Sequence, residues 1–445
     1  MQFEKRPLGE FVSLVSGNTP SKSNSSYWGG TIPWVSAKDM GDFWIEDSED
    51  HLTESGSRVA SRLVPPGTVL ILTRGMTLHK RVPICRISRA STFNQDVKAV
   101  LPKGGLLARF LPYLLVGNHA KLHERVDSAG HGTGRLNTDS LLSLPVYVPR
   151  IAAQNEIADL GEAIDGRLRL LRQTNATLES IAQALFKSWF IDFDPVREKA
   201  EGREPEGMDV ETAALFPDSF EDSALGEIPK GWRAATLERL IAIGAGVIQT
   251  GPFGSQLHAS DYSDEGVPVA MPQDLEGRRI STTRIARVSD AHVERLYRHK
   301  LQAGDIVFSR RGDVGRHAAV TPAEAGWLCG TGCLLVRPGK KWPSNAYVSF
   351  ALATEATSDW LHRHAVGATM PNLNTGILGS LPILLPTEPT LLAFEKIAGV
   401  FEARISENLA QTKTLAALRD TLLPRLISGK LRLPEAEAQL NEALA

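Results

Sequence analysis

An internal duplication constrains this 445-residue chain more than any other feature of it. The segment PGTVLILTRG (66–75) aligns with AGDIVFSRRG (303–312) at an offset of 237 residues, so that Gly67, Val69, Arg74 and Gly75 face Gly304, Ile306, Arg311 and Gly312. At the same offset LNTDSLLSLPVYVP (136–149) aligns with LNTGILGSLPILLP (373–386). The frame then continues without a gap. Leu160, Ile164, Arg167 and Leu168 meet Ile397, Phe401, Arg404 and Ile405, and Thr177, Leu178, Ile181 and Leu185 meet Thr414, Leu415, Leu418 and Leu422. Earlier in each half the offset shortens: Pro33 and Asp39 pair with Pro268 and Asp274 at 235, and Leu8, Phe11 and Gly17 with Leu237, Leu240 and Gly246 at 229. Such drift means insertions in loops. A repeat of this kind implies one structural unit used twice. A framework kept constant while loops vary suits two recognition modules, because loops carry binding chemistry. The plainer alternative is an ancient duplication without functional asymmetry.

Each half divides into two parts. Residues 1–150 and 231–388 alternate short β-rich runs such as GTVLILTR, DIVFSRR and CLLVRP with Gly/Pro turns. They also contain stretches of helical period, at 108–126 and 345–365. Each block reads as one α/β domain. Residues 154–190 differ: Ile157, Leu160, Ile164, Leu168, Leu171, Leu178, Ile181 and Leu185 recur at heptad-like spacing. Residues 392–423 repeat the pattern with Ile397, Phe401, Ile405, Leu415, Leu418 and Leu422, interrupted by the polar Asn408 and Thr412, while Asn175 lies in the weaker centre of the first run. A polar layer in such a seam costs stability and sets register. Two equivalent amphipathic helices in one pseudo-symmetric chain are expected to pack on each other antiparallel, the alternative being that each packs on its own domain. A helix of about 30 residues is a rod of roughly 45 Å. Successive major-groove faces on one side of a duplex lie about 34–36 Å apart, so such a rod suits two readers near adjacent turns.

The fold class expected is therefore α+β, with two α/β domains in pseudo-twofold repeat separated by a long antiparallel two-helix coiled coil. The divisions are a first domain at 1–150, a central helix at 151–195, an acidic linker at 196–230, a second domain at 231–388, a distal helix at 389–433 and a tail at 434–445. The linker VREKAEGREPEGMDVETAALFPDSFEDSALGEIPK is rich in Glu, Gly and Pro; its Leu215, Phe216 and Phe220 suggest that part of it docks on a surface.

Net charge is −2, an unpromising total for a nucleic-acid binder, but the charge is unevenly placed. Residues 1–150 carry 18 basic and 13 acidic side chains, residues 151–230 carry 8 and 17, residues 231–388 carry 16 and 14, and the remainder 7 and 7. Two mildly basic blocks flank an acidic one, and phosphate binding needs local rather than total basicity. An uneven solvated surface is an equally good reading of the charges alone. The segment MQFEKRPLGE has no apolar signal region and no apolar run reaches spanning length. Cys85, Cys329 and Cys333 form no CxxC pair and too few disulfides for a framework, and read as ordinary buried or exposed thiols. A reducing cytoplasm is the compartment expected.

Several chemistries leave no trace. There is no GxxxxGK[ST] loop, no GxGxxG opening a helix, and no GxSxG. Asp194-Pro195-Val196 lacks the second proline and the aromatic residue of a motif that would hold a target adenine's amino group. Pro217-Asp218 with Glu227 and Lys230 approximates a nuclease carboxylate set at the wrong spacing. His292, His299, His362 and His364 form no metal pattern and read as solvated histidines. A catalytic role is disfavoured.

Four segments together carry a resemblance: SGNTPSKSNSSYWGGTIPWVSAKDM (16–40), LESIAQALFKSWFIDFDPV (178–196), FPDSFEDSALGEIPKGW (216–232) and LRDTLLPRLISGKL (418–431). The chain resembles the specificity subunit of type I restriction-modification systems over nearly its whole length. The resemblance implies two target-recognition domains, each reading one half of a bipartite asymmetric sequence in double-stranded DNA. It also implies a coiled coil on which two DNA adenine methyltransferase subunits dock, with two motor-endonuclease subunits able to join. S-adenosylmethionine, ATP and Mg would then belong to those partners, leaving no cofactor, metal or catalytic residue in this chain. The second domain opens with GVIQTGPFGSQLH (246–258) in place of the SGNTPS-type opening, so the two half-sites should differ. The alternatives from other classes are a self-sufficient restriction or modification enzyme with an unrecognised site, and a stand-alone DNA-binding regulator.

Within that resemblance the candidate DNA contacts are chosen by side-chain chemistry. Arg74, Arg310 and Arg311 end equivalent strands just before glycines; arginine reads guanine bidentately, contacts phosphate, or equally closes a strand-end salt bridge. Lys38 and Gln273 occupy equivalent loops before Asp39 and Asp274, where Gln suits adenine and Lys guanine or phosphate. Asn18, Thr19, Ser21 and Lys22 follow Gly17, and Ser255 and Gln256 follow Gly254; both clusters are equally readable as turns. Trp28, Trp34 and Trp44 read as packing residues, since an intact duplex exposes no base for them to stack on.

Overall fold

The computed structural model describes residues 5–60, 62–128, 132–253, 255–367 and 371–444; Gly254 lies outside them. The chain divides into two compact units, Met1–Gln173 with Leu409–Ala445, and Thr174–Asn408. Each unit owns one α/β domain and part of each of two long helices, Ile151–Lys187 and Glu388–Ile427. The class is α+β, as the duplication implies.

In the first unit the strands Val12–Ser16, Val97–Pro102, Val69–Leu72 and Ile84–Ile87 lie side by side in that order, all antiparallel, with Trp44–Ile45 added in parallel at the edge. Val69–Leu72 is buried throughout, which is why it reads as a continuous apolar run rather than an alternating one. The second unit repeats the order with Val247–Thr250, Cys333–Arg337, Ile306–Ser309 and His317–Ala319, again antiparallel. The duplication seen in sequence is thus a duplication of topology. Two stretches of helical period each break into a pair of helices: Leu111–Gly117 and His119–His123 in one unit, Asn345–Leu352 and Glu355–His364 in the other. In the second pair Thr354 supplies the break, its hydroxyl accepting from the Thr357 amide as an N-cap.

The long helices pair antiparallel. Within the first unit Asp165 meets Arg419 at 3.0 Å and Arg167 meets Gln411 at 3.2 Å, so the second helix runs backward along the first. Ile157, Leu160, Ile164, Leu168, Leu171, Leu415 and Leu422 are buried there, with Leu418 half-buried beside them. Within the second unit Ile405 is buried, and Leu178, Leu185, Ile397 and Phe401 are half-buried. Asn408 Nδ2 donates to Asn175 Oδ1 at 2.7 Å, so the two asparagines form one shared polar layer. One seam position needs correcting. Ile181 is 47% exposed, and its neighbour Ala182 is buried in its place. The heptad frame that runs through Leu168 and Asn175 reaches Ala182 and then Trp189 in steps of seven, so Ile181 stands one residue outside it.

The acidic segment between the first helix and the second domain is ordered and packs into the second unit. A π-helical turn, Ser188–Asp192, ends in Phe193 with φ of 57°, and the chain restarts as the helix Asp194–Ala200 with Pro195 in its first turn. A hairpin follows, Phe220–Ser223 against Gly226–Pro229. Phe216 is buried edge-on to Trp189 at 5.0 Å, and Phe193 lies edge-on to Trp232 at 5.9 Å. These aromatics outweigh a composition that otherwise suits a linker, because each ring removes a large apolar area from water. The distal chain closes on the first unit: Gly429, at φ 71°, ends the second long helix in the left-handed conformation, and Leu433–Leu444 follows with Ala436 buried against that unit's core.

Candidate nucleic-acid interface

In the first unit the loop after Gly17 is held from below. A Cβ at Gly17 would stand 1.9 Å from the Asn94 carbonyl oxygen, so only glycine lets the strand exit there. Trp34 Nε1 donates to the Asn18 carbonyl and Trp28 Nε1 to the Ser21 carbonyl, both at 3.1 Å, with the two indoles edge-to-face at 5.2 Å. The tryptophans are therefore scaffold for the loop. Of the loop's own side chains, Asn18 donates to the Val59 carbonyl, Thr19 to Gln95 Oε1, and Ser21 bonds Ser23. Lys22 is exposed, with its ammonium 6.0 Å from the Trp28 ring.

Lys38 and Gln273 sit in matching turns. Asp39 accepts from the Ser36 amide at 2.8 Å and Asp274 from the Met271 amide at 2.9 Å, so the aspartate shared by the two halves is what shapes both. Their chemistry diverges. Lys38 Nζ is paired with Glu49 at 2.9 Å and Asp50 at 3.1 Å, and these carboxylates hold its pKa above the ordinary lysine value. A phosphate or guanine contact from Lys38 requires breaking both pairs. Gln273 is exposed. Ser255 is exposed, while the Gln256 side chain closes its own turn by accepting from the Phe253 amide at 3.0 Å.

The three arginines separate. Arg310 is half-buried, its Nε donating to the Leu373 carbonyl at 3.2 Å and its guanidinium 5.9 Å from the Phe253 ring centre. Arg74 and Arg311 are exposed and, among the described residues, neither makes an ion pair. Each lies opposite a residue that the choice by residue type missed. Arg74 is the register partner of Arg135 on the antiparallel pair Arg74–Gly75 and Gly134–Leu136, and Arg311 bridges Asn372. The same backbone bond flanks both pairs: the Leu136 amide donates to the Thr73 carbonyl and the Leu373 amide to the Arg310 carbonyl, each at 2.9 Å. The signal for Arg135 and Asn372 was present in the sequence, since each immediately precedes the repeated Leu-Asn-Thr at the constant offset of 237.

The described residues contain no grouping of three or more His, Cys, Asp or Glu side chains that could hold a metal ion. All three cysteines are buried; burial pushes the Cys85 thiol up to about 12, and the hydrogen bond that the Cys333 thiol shares with Cys329, followed by burial, raises Cys333. No helix among the described residues is long and apolar enough to cross a membrane.

Comparison with known proteins gives a consistent picture. The family described as type I restriction modification DNA specificity domain matches residues 1–180. The chain is 24% identical to the type I restriction enzyme MjaIX specificity subunit of Methanocaldococcus jannaschii, over 97% of this chain and 94% of that one. It is 28% identical to the HindI specificity subunit of Haemophilus influenzae, over 73% and 78% respectively. Among solved structures, the S subunit of a type I restriction-modification system from M. genitalium shares the fold at a TM-score of 0.56, with 14% identity and 95% of each chain covered.

Proposed function

We infer that this chain, which belongs to the specificity subunits of type I restriction-modification systems, reads a bipartite asymmetric site in double-stranded DNA through its two α/β domains. In this reading each domain takes one half-site, and the paired helices carry two methyltransferase subunits, with motor-endonuclease subunits joining in complexes that contain them. Methyl transfer from S-adenosylmethionine and any ATP- and Mg-dependent cleavage are then the partners' chemistry, and this chain supplies sequence choice alone. One observation carries the reading. Two domains of the same topology present different pairs of side chains at equivalent strand positions: Arg74 with Arg135 in one, Arg311 with the half-buried Asn372 in the other. A common scaffold with unlike reading groups is what an asymmetric two-part site demands.

The test is a genome-wide map of methylated adenines in a host with and without this gene, its methyltransferase partner present in both. The expected result is one bipartite motif with a constant unspecified gap, lost on deletion. Methylation that persists unchanged overturns the reading. Methyl transfer by the purified chain without partner favours a self-sufficient enzyme instead.

A further inference from the structure

Arg74 and Arg135 face each other across a strand pair, and like charges directly opposite on neighbouring strands repel. Both are exposed, and no ion pair among the described residues offsets either one. Asp127 is the register partner of Arg135 on its other side, yet the two make no ion pair within 4.0 Å. The first unit therefore sets two exposed arginines at facing register positions, where an anionic or acceptor-rich partner would offset their like charge. At the equivalent place in the second unit the pair is Arg311 and Asn372. Asn372 is half-buried, and its Oδ1 is itself shielded from solvent without a hydrogen-bond partner, an acceptor that a base amino group would satisfy once the side chain turns outward on binding. Side chains opposite one another on a strand pair have Cβ atoms about 5 Å apart, comparable with the roughly 3.4 Å step between stacked nucleotides. A two-stranded ribbon is also one of the elements that the major groove admits.

We propose that these two cross-strand pairs are the base readers of the two domains: Arg74 and Arg135 each take a guanine, while Arg311 takes a guanine and Asn372 an adenine. The proposal rests on the reading of the chain as a DNA specificity subunit and adds to it the base chemistry of each half-site. Arginine matches the two acceptors of guanine's major-groove edge with two donors, and asparagine matches the acceptor and amino group of adenine. The half-site of the first domain then contains two G·C pairs close together, and that of the second a G·C pair and an A·T pair.

The experiment maps methylated adenines in the host carrying the complete system with the wild-type chain, Arg135→Ala, Arg135→Lys or Asn372→Ala, and measures binding of each purified complex to duplexes altered one base pair at a time. In the Arg135→Ala complex, discrimination at one G·C pair of one half-site should fall roughly five- to a hundredfold, with the other half-site read as before. Asn372→Ala should relax an A·T pair in the opposite half-site. Arg135→Lys separates reading from simple attraction, because lysine keeps the charge and loses the fork; it should relax the same position as Arg135→Ala. The unaffected half-site reports on folding and assembly in every variant. An Arg135→Lys complex that retains full discrimination, or variants that weaken binding alike on all sequences, assigns these residues to phosphate and overturns the proposal. A wild-type map with no bipartite motif overturns the family reading as well, whereas a bipartite motif unchanged in all variants overturns this assignment alone.

Discussion

Gly277 and Arg278 form the two-residue turn between the strands Leu275–Glu276 and Arg279–Ile280, and both have positive φ, 54° and 62°. A type I′ geometry of this kind favours Asn or Gly, and an arginine in the left-handed region costs about 1–2 kcal/mol. The surroundings compensate it. Arg278 is 8% exposed; its guanidinium pairs with Glu179 on the first long helix and with Glu402 on the second, donates to Ser349, and lies 3.8 Å from the Phe350 ring centre. Arg279 also pairs with Glu402. In the first unit a comparable combination has a different origin. Asp165, at the position equivalent to Glu402, pairs with Arg419 from the opposing helix, whose guanidinium lies 5.8 Å from the Phe43 ring. Burial raises the Asp165 pKa, and the Arg419 charge opposes that rise. Arg278→Met should destabilise the second unit by roughly 2 kcal/mol, since two part-buried carboxylates lose one of their two cations and keep only Arg279. Chemical denaturation measures it, and a loss under about 1 kcal/mol would show the pairs to be dispensable. No sequence pattern marks Arg278, because its partners are 99 and 124 residues away.

At the scale of the helix pair the heptad pattern was legible, and its frame slipped only where small or aromatic residues take seam positions. Ala182, Trp189, Phe394 and Ala398 are buried there, and a search for aliphatic spacing passes over them in favour of Ile181. The asparagines at the middle of both runs were visible as breaks; that they meet each other is a fact of register. Asn408→Leu leaves Asn175 facing an apolar side chain and should cost roughly 1–2 kcal/mol. The double change Asn175→Leu with Asn408→Leu should recover or exceed wild-type stability, because the orphaned amide is gone while the constraint on register is relaxed. A double-mutant cycle read by thermal unfolding checks this. Additive losses would mean that the 2.7 Å contact contributes no coupling.

For the molecule as a whole, charge and composition described residues 196–230 as a spacer, and packing made them part of a core. Ten carboxylates and several Gly and Pro residues are compatible with a chain that stays solvated, yet Phe216 is buried among Trp189 and Trp232. Phe216→Ala should cost about 3–5 kcal/mol and expose this segment to protease, with cleavage inside 196–230 preceding loss of the first unit. In the wild-type chain the segment should resist limited proteolysis; rapid cutting there would return it to the status of a linker.

Along the chain alone one can read the twofold repeat, the two long amphipathic helices and the antiparallel arrangement that their equivalence implies. All of these are periodic or repeated, so they can be counted along the chain without knowing what touches what. The sequence also isolated the strand ends at Arg74 and Arg311. Folding settles which polar side chains stay available: Lys38 is spent on two carboxylates, Arg310 on a carbonyl and Gln256 on its own turn, while Arg135 and Asn372 stand beside the arginines that remain. Availability depends on partners brought together by folding across tens of residues, and residue type and spacing alone carry no record of those partners.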